Sequence, residues 1–500
     1  MNRAAERGRL LGNSGSAFSA KQRWMIVAAM LLTAGLVQIP VVLNPDLGWL
    51  LTVDEKILDG QKLGINLFES NPPLSVYMYM PAVVFSRLSG IAPQFIVIAM
   101  VMVEIAGALL IIDRAAASAR LEAGERGISA WLFAFLLAVL PGAVFGQREH
   151  IAVIALTPFV FITALRWRGL SLGPAAILAG VGAGLAMGIK PFFALVVGLP
   201  VILRVVRQRS LRPLFTSEAC IAAAIVVGYG ALVVVLFPAY VSTYAPMVAE
   251  AYLPIRKDLI SLVPLPIVVI AASVAYLRFS APSDFKMSGN SLPWLAASVG
   301  GAASFIVQGK AWPYTALALC VFAIAAPSLH LRTRPLRTPT LIGGLAAVLL
   351  IGLYLSSPAP RFPPLQGRVQ ALADQPRLLT ITDHIGLGHP LVRQIHGTWV
   401  GSSCAQLLGA GAILRQQSAQ PNPAEQAKLD GIIDFERRHL LADIRTGRPN
   451  VILVDTYLLS SFPFDWLAWA NSDPELKAEL SRYREVEDIG RVRIFVDQSG

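Results

Sequence analysis

The stretch VDEKILDGQKLGINLFESNPPLSVYMYMPAVVFSRLS, residues 53–89, decides how the rest of the chain is arranged. Its first half carries the acidic pair Asp54-Glu55 and, further on, Glu69-Ser70-Asn71-Pro72-Pro73. Its second half, residues 72–89, is apolar but contains Tyr77, Tyr79, Pro81, Ser86 and Arg87. Such a segment either crosses a bilayer or lies along its surface as an amphipathic helix. If it crosses, every later loop changes side. Lys and Arg decide between the two, because loops on the cytoplasmic side are enriched in them. With residues 72–89 on the surface, the inner loops hold 19 of these cations and the outer loops 8; with the segment spanning, the inside holds 11 and the outside 16. The surface reading is the one that obeys the rule. It puts Asp54 and Glu55 on the outer side.

The surrounding chain is that of a polytopic α-helical membrane protein. Hydrophobic residues make up 55% of it and charged residues 15%, and the mean hydropathy is +0.59. That balance does not suit a soluble globular chain. Apolar runs of spanning length are predicted near residues 24–43, 92–112, 128–145, 150–166, 172–189, 191–205, 215–237, 259–277, 292–308, 311–328 and 339–356, about 11 spans. The first follows Arg3, Arg7, Arg9, Lys21 and Arg23 and reads as a retained helix with its N-terminus inside. The net charge of +11 sits in short loops between spans, which argues against nucleic acid as the partner. Cys220 and Cys320 lie in spans and Cys404 stands alone, so neither a disulfide framework nor a paired metal-ligand spacing is present. Three regions result: a cytoplasmic tail over 1–23, a transmembrane domain over 24–356 and an extracytoplasmic domain over 357–500.

On this topology the polar residues at helix ends collect on the outer face. They are Asp54, Glu55, Glu69 and Asn71; Gln147-Arg148-Glu149-His150; Lys190; Tyr244, Arg256, Lys257 and Asp258; and Gln308-Gly309-Lys310-Ala311-Trp312-Pro313-Tyr314. Each has a plain structural reading: a helix cap, an ion pair, a lysine reaching the headgroups, interfacial aromatics. Together, acids, cations and aromatics at one water–lipid boundary fit a transfer reaction. A carboxylate serves as general base on an incoming hydroxyl. Cations stabilise a phosphate leaving group. A lipid-phosphate donor would arrive from the bilayer with its headgroup at that level.

The order of these features resembles the GT-C glycosyltransferases that use polyprenyl-phosphate sugars, most of all the protein O-mannosyltransferase and lipid A aminoarabinose transferase branch. The matching residues are Asp54-Glu55 after the first span, Asn71-Pro72-Pro73-Leu74 in the juxtamembrane segment, and Arg148-Glu149-His150 at the outer end of a later helix. The resemblance covers residues 20–356. It implies a membrane glycosyltransferase of the inverting type, moving a hexosyl or pentosyl group to a lipid, glycan or protein outside the cytoplasm. It makes Asp54 the catalytic base or the residue that orients the acceptor, with Glu55 assisting and Glu149 as second candidate. Arg148, Lys190 and Lys310 become phosphate ligands. Glu69, Asn71, His150, Arg256, Lys257, Gln308, Trp312 and Tyr314 become substrate contacts. The second motif departs from a lone acidic residue, being Gln-Arg-Glu-His. No cofactor is called for, although a divalent metal could share the work of neutralising the phosphate. The alternative is a transporter or flippase of a lipid-linked glycan, which would carry internal repeats and charges midway along its spans. Glu104 is the main charge of that kind, and no repeat is evident.

After Ser356 the composition turns soluble, behind a stiff exit at Pro358, Pro360, Pro363 and Pro364. Residues 377–382, 450–454 and 492–496 read as strands, and 403–416 and 423–445 as helices, which predicts a small α/β domain. Asp383, His384, His389 and His396 lie close together there, but their spacing matches no strong metal pattern. Phe462, Phe464, Trp466 and Trp469 read first as a local core.

Overall fold

A computed structural model describes residues 19–170, 172–280, 291–331, 338–357, 362–419 and 421–498. Arg3, Arg7, Arg9, Pro358 and Pro360 fall outside them. The first helix, α1 (Ala20–Gln38), starts at a capping box in which Ser19 and Gln22 satisfy each other's backbone N–H groups. A second, α2 (Pro45–Leu58), starts at Asn44, whose side chain accepts from the Asp46 N–H, with Pro45 at the first helical position. Residues 72–89 do not form one long helix. They break into Leu74–Tyr77 and α3 (Met80–Ser89), and ten residues reach only about 15 Å, half a hydrocarbon core.

The bundle continues with α4 (Pro93–Ser118), α5 (Ala123–Ala134), α6 (Arg148–Trp167), α7 (Ala175–Ile189), α8 (Ala194–Gln208), α9 (Ser217–Leu236), α10 (Pro264–Ser280), α11 (Leu292–Gln308), α12 (Leu317–Leu331) and α13 (Thr338–Leu355). Among the described residues, five helices are long and apolar enough to cross a membrane: those at Pro93–Ser118, Arg148–Trp167, Pro191–Gln208, Ser217–Leu236 and Leu259–Arg278. Four apolar helices are shorter, at Ala175–Ile189, Leu292–Gln308, Pro313–Leu329 and Leu341–Leu355. The run read near 128–145 is not one helix either. After α5 it passes through a π-helical turn, Phe135–Val139, and a 3-10 turn, Gly142–Val144.

Helix α6 is the axis of the bundle, buried from Arg148 to Leu165 almost without interruption. Small residues let its neighbours close in. A Cβ on Gly180 of α7 would meet the Glu218 carbonyl of α9 at 2.6 Å, and one on Gly184 would meet Ile225 at 2.5 Å. Ion pairs tie the bundle at the end where α1, α5 and α9 begin: Asp113 between Arg23 and Arg126, and Glu218 on Arg166. Because successive helices run in opposite directions, α6 and α2 begin, and α7 and α11 finish, at the other end. That is where the remaining polar residues gather.

The C-terminal domain opens with a helix, α14 (Pro363–Leu372), and is a five-stranded sheet flanked by helices. Its strands are β1 (Arg377–Ile381), β2 (Thr398–Trp399), β3 (Val451–Asp455), β4 (Tyr483–Ile489) and β5 (Val492–Asp497), in the order β2-β1-β3-β5-β4. The first three are parallel, and β5 is antiparallel to both its neighbours. β3, VILVD, is buried at every position, as a central strand must be. β4, YREVEDI, is an edge strand whose charges guard it against further pairing. The helices are α15 (Leu407–Ala419) and α16 (Pro423–Gly447). The domain rests on the bundle: Phe68, Tyr240, Tyr244, Val248 and Ala251 share one core with its sheet and helices. Trp466 and Trp469 belong to that core, while Phe462 is exposed.

Candidate active site

Asp46 sits in the first turn of α2, where the helix's free N–H groups face it. Arg148, the first residue of α6, reaches toward it, with Nη2 3.5 Å from Asp46 Oδ1, and toward Glu69, with Nη1 3.6 Å from Oε1. Glu69 is itself fixed. Its Oε2 accepts from Trp49 Nε1 at 2.6 Å, and its Oε1 accepts from the Asn71 N–H at 2.9 Å and from Asn71 Nδ2 at 2.5 Å. Burial raises the pKa of Asp46 against the pull of Arg148. That makes the Asp46 carboxylate a stronger proton acceptor than an exposed one.

The next residue on α6, Glu149, forms an ion pair with Lys190, which follows the end of α7. Lys190 Nζ also donates to Gln308 Oε1 at 3.3 Å and lies 5.8 Å from the centre of the Tyr314 ring. Gln308 in turn donates to Ser304. Lys310 donates to two main-chain carbonyls, Tyr252 at 2.9 Å and Ile255 at 2.6 Å, and its ammonium lies 4.0 Å from the Tyr252 ring centre. Burial, with Lys190 and Arg256 nearby, pushes the Lys310 amine down to about 7. Of the cluster's three cations, Lys310 is held by carbonyls rather than carboxylates, so when protonated its charge is not already neutralised.

Three carboxylates, the buried Glu69 and Glu149 and the partly buried Asp46, thus share one end of the bundle with three cations. Removing such charges from water costs several kcal/mol apiece, and they persist only where paired. The pairing is incomplete: Gln147 Oε1 and Nε2, Arg148 Nε and Glu149 Oε2 are buried without a hydrogen-bond partner among the described residues. Each unmet group costs about 1–3 kcal/mol. Four such atoms on three successive residues mark the wall that a polar ligand would complete.

The residues singled out from sequence divide sharply. Glu69, Asn71, Arg148, Glu149, Lys190, Gln308, Lys310 and Tyr314 are brought together. Asp54 is not: it is fully buried on α2, both its oxygens lack hydrogen-bond partners among the described residues, and burial with Glu55 beside it pushes its pKa up to about 8. Glu55 faces the C-terminal domain and is held by the fork of Arg393 at 2.7 and 2.9 Å. His150 turns away, accepting from the Gly146 N–H through Nδ1 and bonding the Leu137 carbonyl through Nε2. Arg256 and Lys257 are exposed and frame the Lys310 loop: Arg256 donates to the Ile306 carbonyl, and the Lys257 N–H to that of Gly309. Trp312 is 41% exposed, 5.5 Å from Tyr314.

Asp46 and Tyr252 went unremarked in the sequence. Asn44-Pro45-Asp46 reads as an ordinary helix start, which hides the acid. The available signal was its place, eight residues ahead of Asp54 and directly after the first span. Among the described residues no group of three or more His, Cys, Asp or Glu is placed to hold a metal ion. The cluster's acids face Arg148 and Lys190 instead of converging, so a divalent metal does not fit this arrangement. His389 and His384 do not join in a site: His389 packs between Trp49 and Trp399, and His384 against Phe362.

Comparison of this fold with solved structures finds ArnT from Cupriavidus metallidurans, solved bound to undecaprenyl phosphate. The match has 14% identity and a TM-score of 0.54, covering 96% of this chain and 99% of that one. ArnT in the apo state overlaps with a TM-score of 0.41 at 15% identity, over 95% and 98% of the two chains. The oligosaccharyltransferase AglB from Archaeoglobus fulgidus gives 0.42 at 14%, over 95% and 74%. The fold assignment rests on the first of these. The chain shares the fold of ArnT over nearly the whole length of both. No protein-family model and no curated protein matches the chain by sequence.

Proposed function

We propose that this GT-C chain is a glycosyltransferase that moves a sugar from a polyprenyl-phosphate donor to an acceptor hydroxyl, with Asp46 as general base. The observation that carries the reading is the Asp46–Arg148–Glu69 constellation at the mouth of the bundle, with Lys190 and Lys310 beside it. ArnT, which shares the fold over nearly its whole length, was solved with undecaprenyl phosphate bound.

The acceptor O–H gives its proton to Asp46. The oxygen attacks the anomeric carbon from the face opposite the phosphate, and the bond from that carbon to the phosphate oxygen breaks. This inverts the sugar. The leaving polyprenyl phosphate gains negative charge, which Arg148, Lys190 and Lys310 are disposed to meet. Glu69 and Glu149 hold Arg148 and Lys190 in place. Asp46 takes the role for which the sequence suggested Asp54. The site, the loops around it and the C-terminal domain would lie outside the cytoplasm, as the Lys and Arg distribution favours, in an inner membrane.

Asp46→Asn tests the reading. Reconstituted protein would be given the radiolabelled polyprenyl-phosphate-sugar pool extracted from native membranes, with the envelope fraction as acceptor. Transfer should fall at least about 100-fold, the usual scale for loss of a general base, while undecaprenyl phosphate still binds. Transfer at the wild-type rate would remove Asp46 from this role.

A further inference from the structure

Arg393 belongs to the C-terminal domain, yet its guanidinium is spent on α2. It forks onto Glu55, donates to Thr52 Oγ1 at 3.1 Å and donates through Nε to the Gly48 carbonyl at 3.3 Å. Residues 48, 52 and 55 are spaced four and three apart, so they share one face of the helix. The segment leading to Arg393 grips the same turn. Pro390 packs on Gly48, where a Cβ would come within 3.5 Å of the Pro390 backbone. His389 is buried between Trp49, 5.3 Å away, and Trp399 of β2, 4.6 Å away. On its other side Trp49 donates to Glu69, and Glu69 faces Arg148. A continuous chain of contacts therefore runs from the sheet of the C-terminal domain, through α2, to the cluster around Asp46.

Magnitudes separate positioning from mere adhesion. The side chains of Arg393 and Glu55 are 18% and 35% exposed, and a partly exposed ion pair contributes only on the order of 1 kcal/mol. The domain is held elsewhere too, by Arg415 on Glu250 and by Gly411 against Ala251. Losing Arg393 therefore leaves the domain docked. What it releases is α2, and a reacting group displaced by about 1 Å can cost about 100-fold in rate.

We propose that Arg393 is a positioning residue: the C-terminal domain uses it to fix where along its axis α2 lies, and so where Asp46 stands relative to Arg148. This rests on Asp46 being the base. The experiment uses full-length protein reconstituted in lipid nanodiscs, with the same donor pool and envelope acceptor, and undecaprenyl phosphate as the binding probe. Arg393→Ala should lower transfer about 100-fold with normal membrane abundance and unchanged undecaprenyl phosphate affinity. Arg393→Lys, which keeps one bond to Glu55, should recover at least tenfold of that loss. The exchange Glu55→Arg with Arg393→Glu should exceed either single variant. Wild-type transfer in Arg393→Ala would overturn the proposal. So would a fall in abundance or affinity that accounts for the lost transfer, because that is a structural role. Asp46→Asn is run alongside. An inactive Asp46→Asn with a fully active Arg393→Ala sinks the positioning role alone; an active Asp46→Asn sinks the base and this inference with it.

Discussion

Replacing Asp54 by Asn separates the acid that the sequence favoured from the one that the structure favours. Asp54 is 0% exposed, neither carboxyl oxygen has a hydrogen-bond partner among the described residues, and burial lifts its pKa from the ordinary 3.8 to about 8. Burial is the main cause and the charge of Glu55 the lesser one. Because folding raises this pKa, the folded protein holds a proton that the unfolded chain releases above pH 3.8. Stability therefore drops with each pH unit from about 4 to about 8, by about 1.4 kcal/mol per unit. By pH 7 the accumulated loss is on the order of 4 kcal/mol, an upper figure. The amide of Asn matches the protonated acid in shape and has no charge to desolvate. Asp54→Asn should therefore melt close to wild type near pH 4 and clearly higher at pH 7 to 8. It should transfer sugar at the wild-type rate throughout. The assay is a thermal melt in detergent at half-unit pH steps, with transfer measured on the same preparations. Melting curves that stay parallel across this range, or an inactive Asp54→Asn of normal abundance, would refute the reasoning.

Two further outcomes follow from the same geometry. Burial pushes the Lys310 amine down to about 7, so its charge, and with it the kcat/KM of the proposed transfer, should fall as pH rises above 7. Lys310→Arg keeps the charge and should move that falling limb to higher pH; an unmoved limb would rule Lys310 out as its source. A periplasm-active reporter fused after Ser357 should be active, whereas cytoplasmic activity would place the cluster on the wrong side for an acceptor outside the cell.

The helical bundle was legible because it is written in long apolar runs, and the parallel strands β1 and β3 because they are largely aliphatic, whereas the two-residue β2 was too short to read. β4 was not, since an edge strand carrying Arg484, Glu485, Glu487 and Asp488 has the composition of a loop. The π-helical and 3-10 turns after α5 were equally hidden, because backbone hydrogen-bond spacing leaves no mark on hydropathy. The site splits along a similar line. Arg148, Glu149, Lys190 and Lys310 stood out as charges at span ends. Asp54-Glu55 stood out as a pair, but adjacency along a helix is not adjacency in space. Neighbouring residues point about 100° apart, so Asp54 goes into the core and Glu55 toward the C-terminal domain. Asp46 and Asp54 lie eight residues apart on one helix, about 12 Å along its axis. They cannot serve the same anomeric carbon. The role proposed for Asp46 is supported by what begins beside it: α2 and α6 start at the same end of the bundle, and the first turn of α2 is level with Arg148. The paired acids two turns further on are left to anchor and to pack. That division gives Glu55 a reason to be an acid at all, since Arg393 needs a carboxylate there to hold the helix that carries Asp46.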